Sequence, residues 1–193
     1  MTVLIMAAVH NMLDFARLFF EFRANPNVVN KIGMTALHCA AGRGHAAMTR
    51  LLVDHSAALN VRSVKGATAL HLAALKGKIE VVRFLLGADA AIDLEDKKGD
   101  TPAKCALLNK HVTTLELLLR HGANAHRAAV MPKFTGVART EGEKKHMIAL
   151  FDALEEQPSV VHLLADHGGI CDKEDLDVHM SSFGHTRVLC ALR

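Results

Sequence analysis

A 33-residue period constrains the fold of this 193-residue chain more than any other feature of its sequence. Threonine recurs at Thr35, Thr68 and Thr101, and both intervals are 33 residues. The same step taken backwards from Thr35 reaches Thr2, which opens a further copy. A fixed period of about 20–50 residues is typical of stacked repeat units, because one unit cannot bury its apolar face alone. The sequence therefore predicts a solenoid.

Each copy combines a short motif with an apolar run. The best-preserved copy begins Gly-Met-Thr-Ala-Leu-His-Cys-Ala-Ala at Gly33, continues through Gly44-His45 and Leu51-Leu52, and ends at Leu59-Asn60. The next two copies begin at Gly66 and Gly99. The glycines predict turns with positive φ, and each threonine predicts an N-cap for the helix that follows.

At these positions the chain resembles the ankyrin-repeat family, closely over residues 2–126 and weakly beyond. Ala36 and Ala69 replace the usual proline, and Lys110 replaces the glycine between two helices. The resemblance implies an all-α solenoid of helix-turn-helix units joined by β-hairpin-like loops, in which His38 and His71 tie hairpins to helices. It divides the single domain, residues 1–193, into repeats at about 1–29, 30–62, 63–95, 96–126, 127–171 (with an insertion) and 172–193 (degenerate or truncated).

Composition fits thin helices that stack closely. Half of the residues are hydrophobic, and the chain has no Trp, no Tyr and eight Phe. No apolar run approaches the length of a membrane span, so no membrane association is expected. A net charge of +3 and the scarcity of aromatic side chains make nucleic-acid binding the less favoured alternative.

The four cysteines show no paired spacing. Cys39 and Cys105 stand two repeats apart, and stacked helices are separated by roughly 8–10 Å, so a disulfide between these two residues is excluded. We expect free, buried thiols at both positions. Free thiols indicate a reducing compartment, which predicts a cytoplasmic and also a nuclear location.

The N-terminal copy predicts helices over residues 3–9 and 13–22. Phe15, Leu18 and Phe19 align with apolar positions of later repeats and are expected in the core, whereas Phe22 aligns with His55 and is expected to be exposed. Solenoids normally carry a polar cap at each end, and this end has none. The sequence therefore predicts that it packs on an upstream repeat or on a partner chain, self-association included.

Residues 127–145 interrupt the period and are predicted to form a loop. Leu163-Leu164 follows Leu117-Leu118 by 46 residues, so this interval carries about 13 extra residues. The tail contains Gly184-His185, which resembles the Gly44-His45 turn.

Nothing in the sequence indicates a catalytic, cofactor or metal site. Gly42-Arg43-Gly44-His45-Ala46-Ala47 fits a dinucleotide fingerprint, but that fingerprint requires a preceding strand, and here a helix is expected. Most of the 13 histidines stand at repeat-equivalent positions, which lie too far apart to share one metal ion. The chain is therefore expected not to be an enzyme.

Binding of another protein is the remaining function. The family resemblance places partners on the concave face, along the hairpin tips and the exposed side of each first helix. Mapped onto this chain, the predicted partner-binding residues are Lys31, Ile32, Met34, Arg43, Lys65, Leu75, Lys76, Lys97, Lys98, Asp100 and Asn109. Because most of the tips are basic, an acidic, extended protein segment is the expected partner. Two alternatives stay open: the lysines serve solubility alone, or the chain is a regulatory or targeting segment of a larger enzyme, channel or ubiquitin ligase.

Overall fold

In the computed structural model, the described residues are 3–129 together with 160, 163–164 and 166–168. The described residues contain helices but no strand. The helices are α1 (Val3–Val9), α2 (Leu13–Glu21), α3 (Ala36–Arg43), α4 (Ala46–Asp54), α5 (Ala69–Leu75), α6 (Ile79–Gly87), α7 (Pro102–Leu108), α8 (Val112–Arg120) and α9 (Ala125–Ala129).

The first eight helices form four antiparallel pairs in two layers. In one layer α1, α3, α5 and α7 pack in sequence, and in the other α2, α4, α6 and α8 do so. The core lies between the layers: Ala40, Ala73 and Ala106 keep the first layer thin, and Leu52 and Leu85 fill the second, all fully buried. The expected all-α repeat fold is confirmed.

The turns before the first helices have the geometry that the glycines predict. Gly33, Gly66 and Gly99 have φ of 72°, 80° and 78°, which is the left-handed backbone region that residues other than glycine rarely adopt. Thr35 and Thr68 are N-caps, each accepting from the backbone N–H three residues later. Thr101 caps α7 in the same way, with Pro102 opening the helix. The threonine signal therefore marks the true helix starts.

His38 and His71 join successive repeats, as the resemblance implies. Nδ1 of His38 accepts from the Thr35 N–H at 3.2 Å, so the ring hydrogen lies on Nε2, which donates to the Ala67 carbonyl at 3.0 Å. His71 repeats the arrangement with Thr68 and the Asp100 carbonyl, also at 3.0 Å. Each neutral ring thus fixes the start of its own helix to the following hairpin.

A second set of hydrogen bonds links the loops after the second helices. Oδ1 of Asn27 accepts from the Ala58 N–H at 2.7 Å, and Oδ1 of Asn60 accepts from the Ala91 N–H at 2.9 Å. Asp93, one period later, accepts from the Asn124 N–H. An amide or carboxylate oxygen at this position therefore holds each repeat to the next.

Acid should destabilise the fold through the two buried histidines. Burial lowers the pKa of both His38 and His71 below the ordinary value of 6.5, although hydrogen bonds to backbone carbonyls partly offset this effect. Below about pH 6.5 the unfolded chain then binds more protons than the folded chain, so the free energy of unfolding should fall as the pH falls, until the folded-state pKa is passed. Urea unfolding at successive pH values measures this slope. A His38→Gln/His71→Gln variant with an unchanged slope would contradict the explanation.

Two N-terminal residues expected in the core are exposed. Phe15 is 54% exposed and Leu18 is 44% exposed, because α2 packs on α1 and α4 and no described element covers its outer side. Phe19 packs partly buried against the core, and Phe22 is exposed, both as expected.

The repeat pattern changes after α8. Residues 127–129 belong to α9, so the predicted loop is helical at its start, where the Asn124 side chain accepts from the Arg127 N–H at 3.0 Å. The rest of that loop, Cys171, Cys190 and the expected repeat at 172–193 lie outside the described residues, as does most of the expected repeat at 127–171.

Candidate protein-interaction surface

Three hairpin tips stand in a fixed row along one edge of the solenoid. The Val64 N–H donates to the Ile32 carbonyl at 3.0 Å, and the Lys97 N–H donates to the Lys65 carbonyl at 2.9 Å. These bonds join each tip to the next through the backbone. The tip side chains project from this row and are all exposed: Lys31, Ile32, Val64, Lys65, Lys97 and Lys98.

Each tip is also held internally. Oδ1 of Asn30 accepts from the N–H groups of Ile32 and Met34, both at 3.0 Å. Oδ1 of Asp96 accepts from Lys98 N–H at 2.8 Å and Asp100 N–H at 3.0 Å. The backbone of the row is therefore ordered before any partner arrives, which reduces the entropy cost of binding.

A second row lies at the ends of the first helices. Arg43, Lys76 and Asn109 are exposed and follow one another at 33-residue intervals. Asn109 donates from Nδ2 to the Cys105 carbonyl at 2.8 Å and so also ends its own helix. The three residues come from successive repeats, in the same order as the hairpin tips.

Half-buried apolar side chains accompany the two rows. Met34 lies beside its hairpin tip, and Leu75 is the last residue of α5. Cys39 and Leu72 are half-buried as well and occupy equivalent positions in α3 and α5. These two residues were not predicted from the sequence as partner contacts. Their 33-residue spacing was the signal that could have identified them.

The cations of the two rows have no acidic neighbour in ion-pair contact within residues 3–129. The ion pairs seen in that part of the chain use other cations: Arg120 with Glu116, Arg127 with Glu95, and Lys104 with Asp100. The cations Lys31, Lys65, Lys97, Lys98, Arg43 and Lys76 are therefore not held in salt bridges within residues 3–129, although the Asp96 carboxylate lies in the same tip as Lys97 and Lys98. A surface of one sign favours the approach of a ligand of the opposite sign.

Asp100 does not belong to this surface. It was predicted to contact a partner, but its side chain is buried, and Oδ1 lies 3.1 Å from Nζ of the equally buried Lys104. Lys104 occupies the position of His71 in the following repeat, so the pair takes the place of a structural histidine. The other ten predicted residues are exposed or half-buried, and their role in binding stays a prediction.

The side chains near these rows offer little for catalysis. Burial raises the pKa of the Cys39 thiol, and burial together with nearby carboxylates raises the pKa of Cys105 to about 12, so neither is a reactive thiolate. Both cysteines are free; Cys105 is buried as expected, whereas Cys39 is only half-buried. In the described part of the chain, no three His, Cys, Asp or Glu residues are grouped as a metal site. No described helix is long and apolar enough to cross a membrane.

Comparison with known proteins identifies the repeats. Residues 4–96 match the family model for ankyrin repeats in three copies, and no curated protein matches the chain. The helices of the fourth pair, α7 and α8, follow this match at the same 33-residue spacing. Ankyrin repeats are generally protein–protein interaction modules, and domains built from them are typically non-catalytic. Residues 4–96 of the chain are therefore ankyrin repeats.

Proposed function

We propose that this protein is a non-catalytic adaptor or regulator that binds an acidic, extended segment of another protein along the row of hairpin tips. The observation that supports it most directly is the set of exposed cations on these tips that form no salt bridge within residues 3–129. Four lysines, Lys31, Lys65, Lys97 and Lys98, stand on three tips that are joined by backbone hydrogen bonds. Exposed Ile32 and Val64 stand between them and supply apolar contacts.

The repeat spacing favours a particular arrangement of acids in the partner. Neighbouring first helices are separated by roughly 8–10 Å, and the tips follow the same spacing. In a polyproline II segment, which rises about 3.1 Å per residue, every third side chain recurs at about 9 Å. An extended partner with an acid at every third residue would therefore meet one tip after another.

A direct binding measurement tests this proposal. The probe is a fluorescently labelled peptide of repeated Glu-Pro-Ala triplets, and the comparison peptide has the same composition with its glutamates clustered. We expect the triplet peptide to bind more tightly, and its affinity to fall as salt is raised, because exposed charges are screened. Affinity that does not change with salt would rule out the electrostatic basis.

Charge reversal locates the site. Lys65→Glu/Lys97→Glu should weaken binding of the triplet peptide by about tenfold or more, since each factor of ten corresponds to about 1.4 kcal/mol. Arg83→Glu/Arg120→Glu is the matched control, because it changes the net charge equally at exposed positions on α6 and α8. Equal losses in the two variants would mean that net charge, and not the tip row, controls binding.

We place this function in the cytoplasm or the nucleus. The free thiols of Cys39 and Cys105 support a reducing compartment. A fluorescent fusion of the chain tests the location, and appearance in the secretory pathway would contradict it.

A further inference from the structure

Exposed apolar side chains are concentrated at the N-terminal end of the described solenoid. Among the described residues, large hydrophobic side chains that are well exposed occur at ten positions, and eight of these precede residue 30. Val3 at the start of α1, Met12 in the turn after α1, Phe15 and Leu18 in α2, and Phe22 directly after α2 form the N-terminal stacking face.

Two positions show that this face has the character of an interface between repeats. Val3 is 66% exposed, whereas its counterparts Ala36 and Ala69 are each 1% exposed. Phe15 is 54% exposed, whereas its counterparts Met48 and Val81 are fully buried. In the repeats that have another repeat packed on their N-terminal side, these positions lie in the core.

We propose that the N-terminal stacking face binds the same face of a second copy of this chain, giving a two-fold symmetric dimer. Taking about 150–200 Å² for a fully exposed side chain of this size, the five residues present on the order of 500 Å² of apolar surface. Two such faces bury on the order of 1,000 Å² before their polar rim is counted, which reaches the lower limit for a specific interface.

The charges on α2 favour a second copy over a strongly charged partner. Asp14, Arg17 and Glu21 are exposed on the same helix as Phe15 and Leu18, so both signs are present beside the apolar face. With a two-fold axis that crosses α2 at right angles between Phe15 and Arg17, the two α2 helices would run antiparallel and Asp14 of one copy would come opposite Arg17 of the other. This mixed surface differs from the basic row of tips, and the dimer does not depend on the proposed function.

Sedimentation equilibrium of the whole chain tests the dimer. We expect a mass of twice the 20.9 kDa of one chain, with dissociation on dilution. Phe15→Asp and Phe22→Asp should each give a monomer, and Phe22→Asp is the safer variant because that side chain is 78% exposed and contributes little to folding. Ile32→Asp, which changes an exposed apolar side chain outside the face, should leave the dimer intact. Far-UV circular dichroism checks that each variant is folded.

A charge exchange distinguishes a two-fold dimer from general stickiness. Asp14→Arg alone should weaken the dimer about tenfold or less, and adding Arg17→Asp to the same chain should restore it. A wild-type chain that stays monomeric at all concentrations overturns the proposal, as does a dimer that survives both phenylalanine substitutions. Failure of the double charge exchange to restore the dimer overturns the two-fold arrangement.

Discussion

Replacing Gly66 by alanine should lower the free energy of unfolding by about 3 kcal/mol or more. The residue has φ of 80°, which costs an alanine roughly 1–2 kcal/mol. An added Cβ would also lie 2.8 Å from the backbone nitrogen of Lys97, which belongs to the next hairpin. Because backbone cannot move aside as a side-chain tip can, the bond between neighbouring tips must shift, at a further cost of about 1–3 kcal/mol.

Gly99→Ala is the matched control. Gly99 stands at the equivalent turn with φ of 78°, but among the described residues an added Cβ would meet nothing within 4 Å. Its substitution should therefore cost only roughly 1–2 kcal/mol, the strain of the turn alone. Urea unfolding followed by circular dichroism compares the two variants. Equal losses would show that close contact between hairpins contributes nothing measurable.

His71→Ala should destabilise the protein by about 2–4 kcal/mol. The substitution removes the acceptor of the buried Thr68 N–H and the donor to the Asp100 carbonyl, and it leaves space in a buried site. The effect should fall on two repeats, because the ring belongs to α5 and its Nε2 binds the following hairpin. Hydrogen exchange should accordingly show faster exchange of the amides around Thr68 and around Asp100.

His10→Ala controls for the loss of a histidine as such. His10 is exposed, so the change should alter the free energy of unfolding by less than about 0.5 kcal/mol. If His71→Ala behaves in the same way, the hydrogen bonds from its ring do not hold the repeats together.

The positions of the hairpin tips could be predicted from the sequence because they depend on turns, whereas the role of the tips in binding stays a prediction. The glycine positions fix where each tip lies, and the lysines beside them are exposed for that reason. Asp100 was wrongly predicted to lie on the binding surface, because it ends the hairpin and does not form its tip. The sequence does not show that Lys104 turns inward to pair with it. The position of a residue in the repeat predicts its backbone conformation, whereas the partner of its side chain depends on packing that the repeat pattern does not show.

The sequence by itself determined the all-α repeat fold and the helix starts at the three threonines, because these depend on local backbone geometry repeated every 33 residues. The role of the two histidines was implied by the family resemblance. Only the tertiary structure decided which apolar residues of the N-terminal repeat are covered. Phe15 and Met48 hold the same place in their repeats, yet Met48 is fully buried and Phe15 is largely exposed. Burial in a solenoid depends on the neighbour that packs against a position, and the residue type at that position does not reveal whether the neighbour is present.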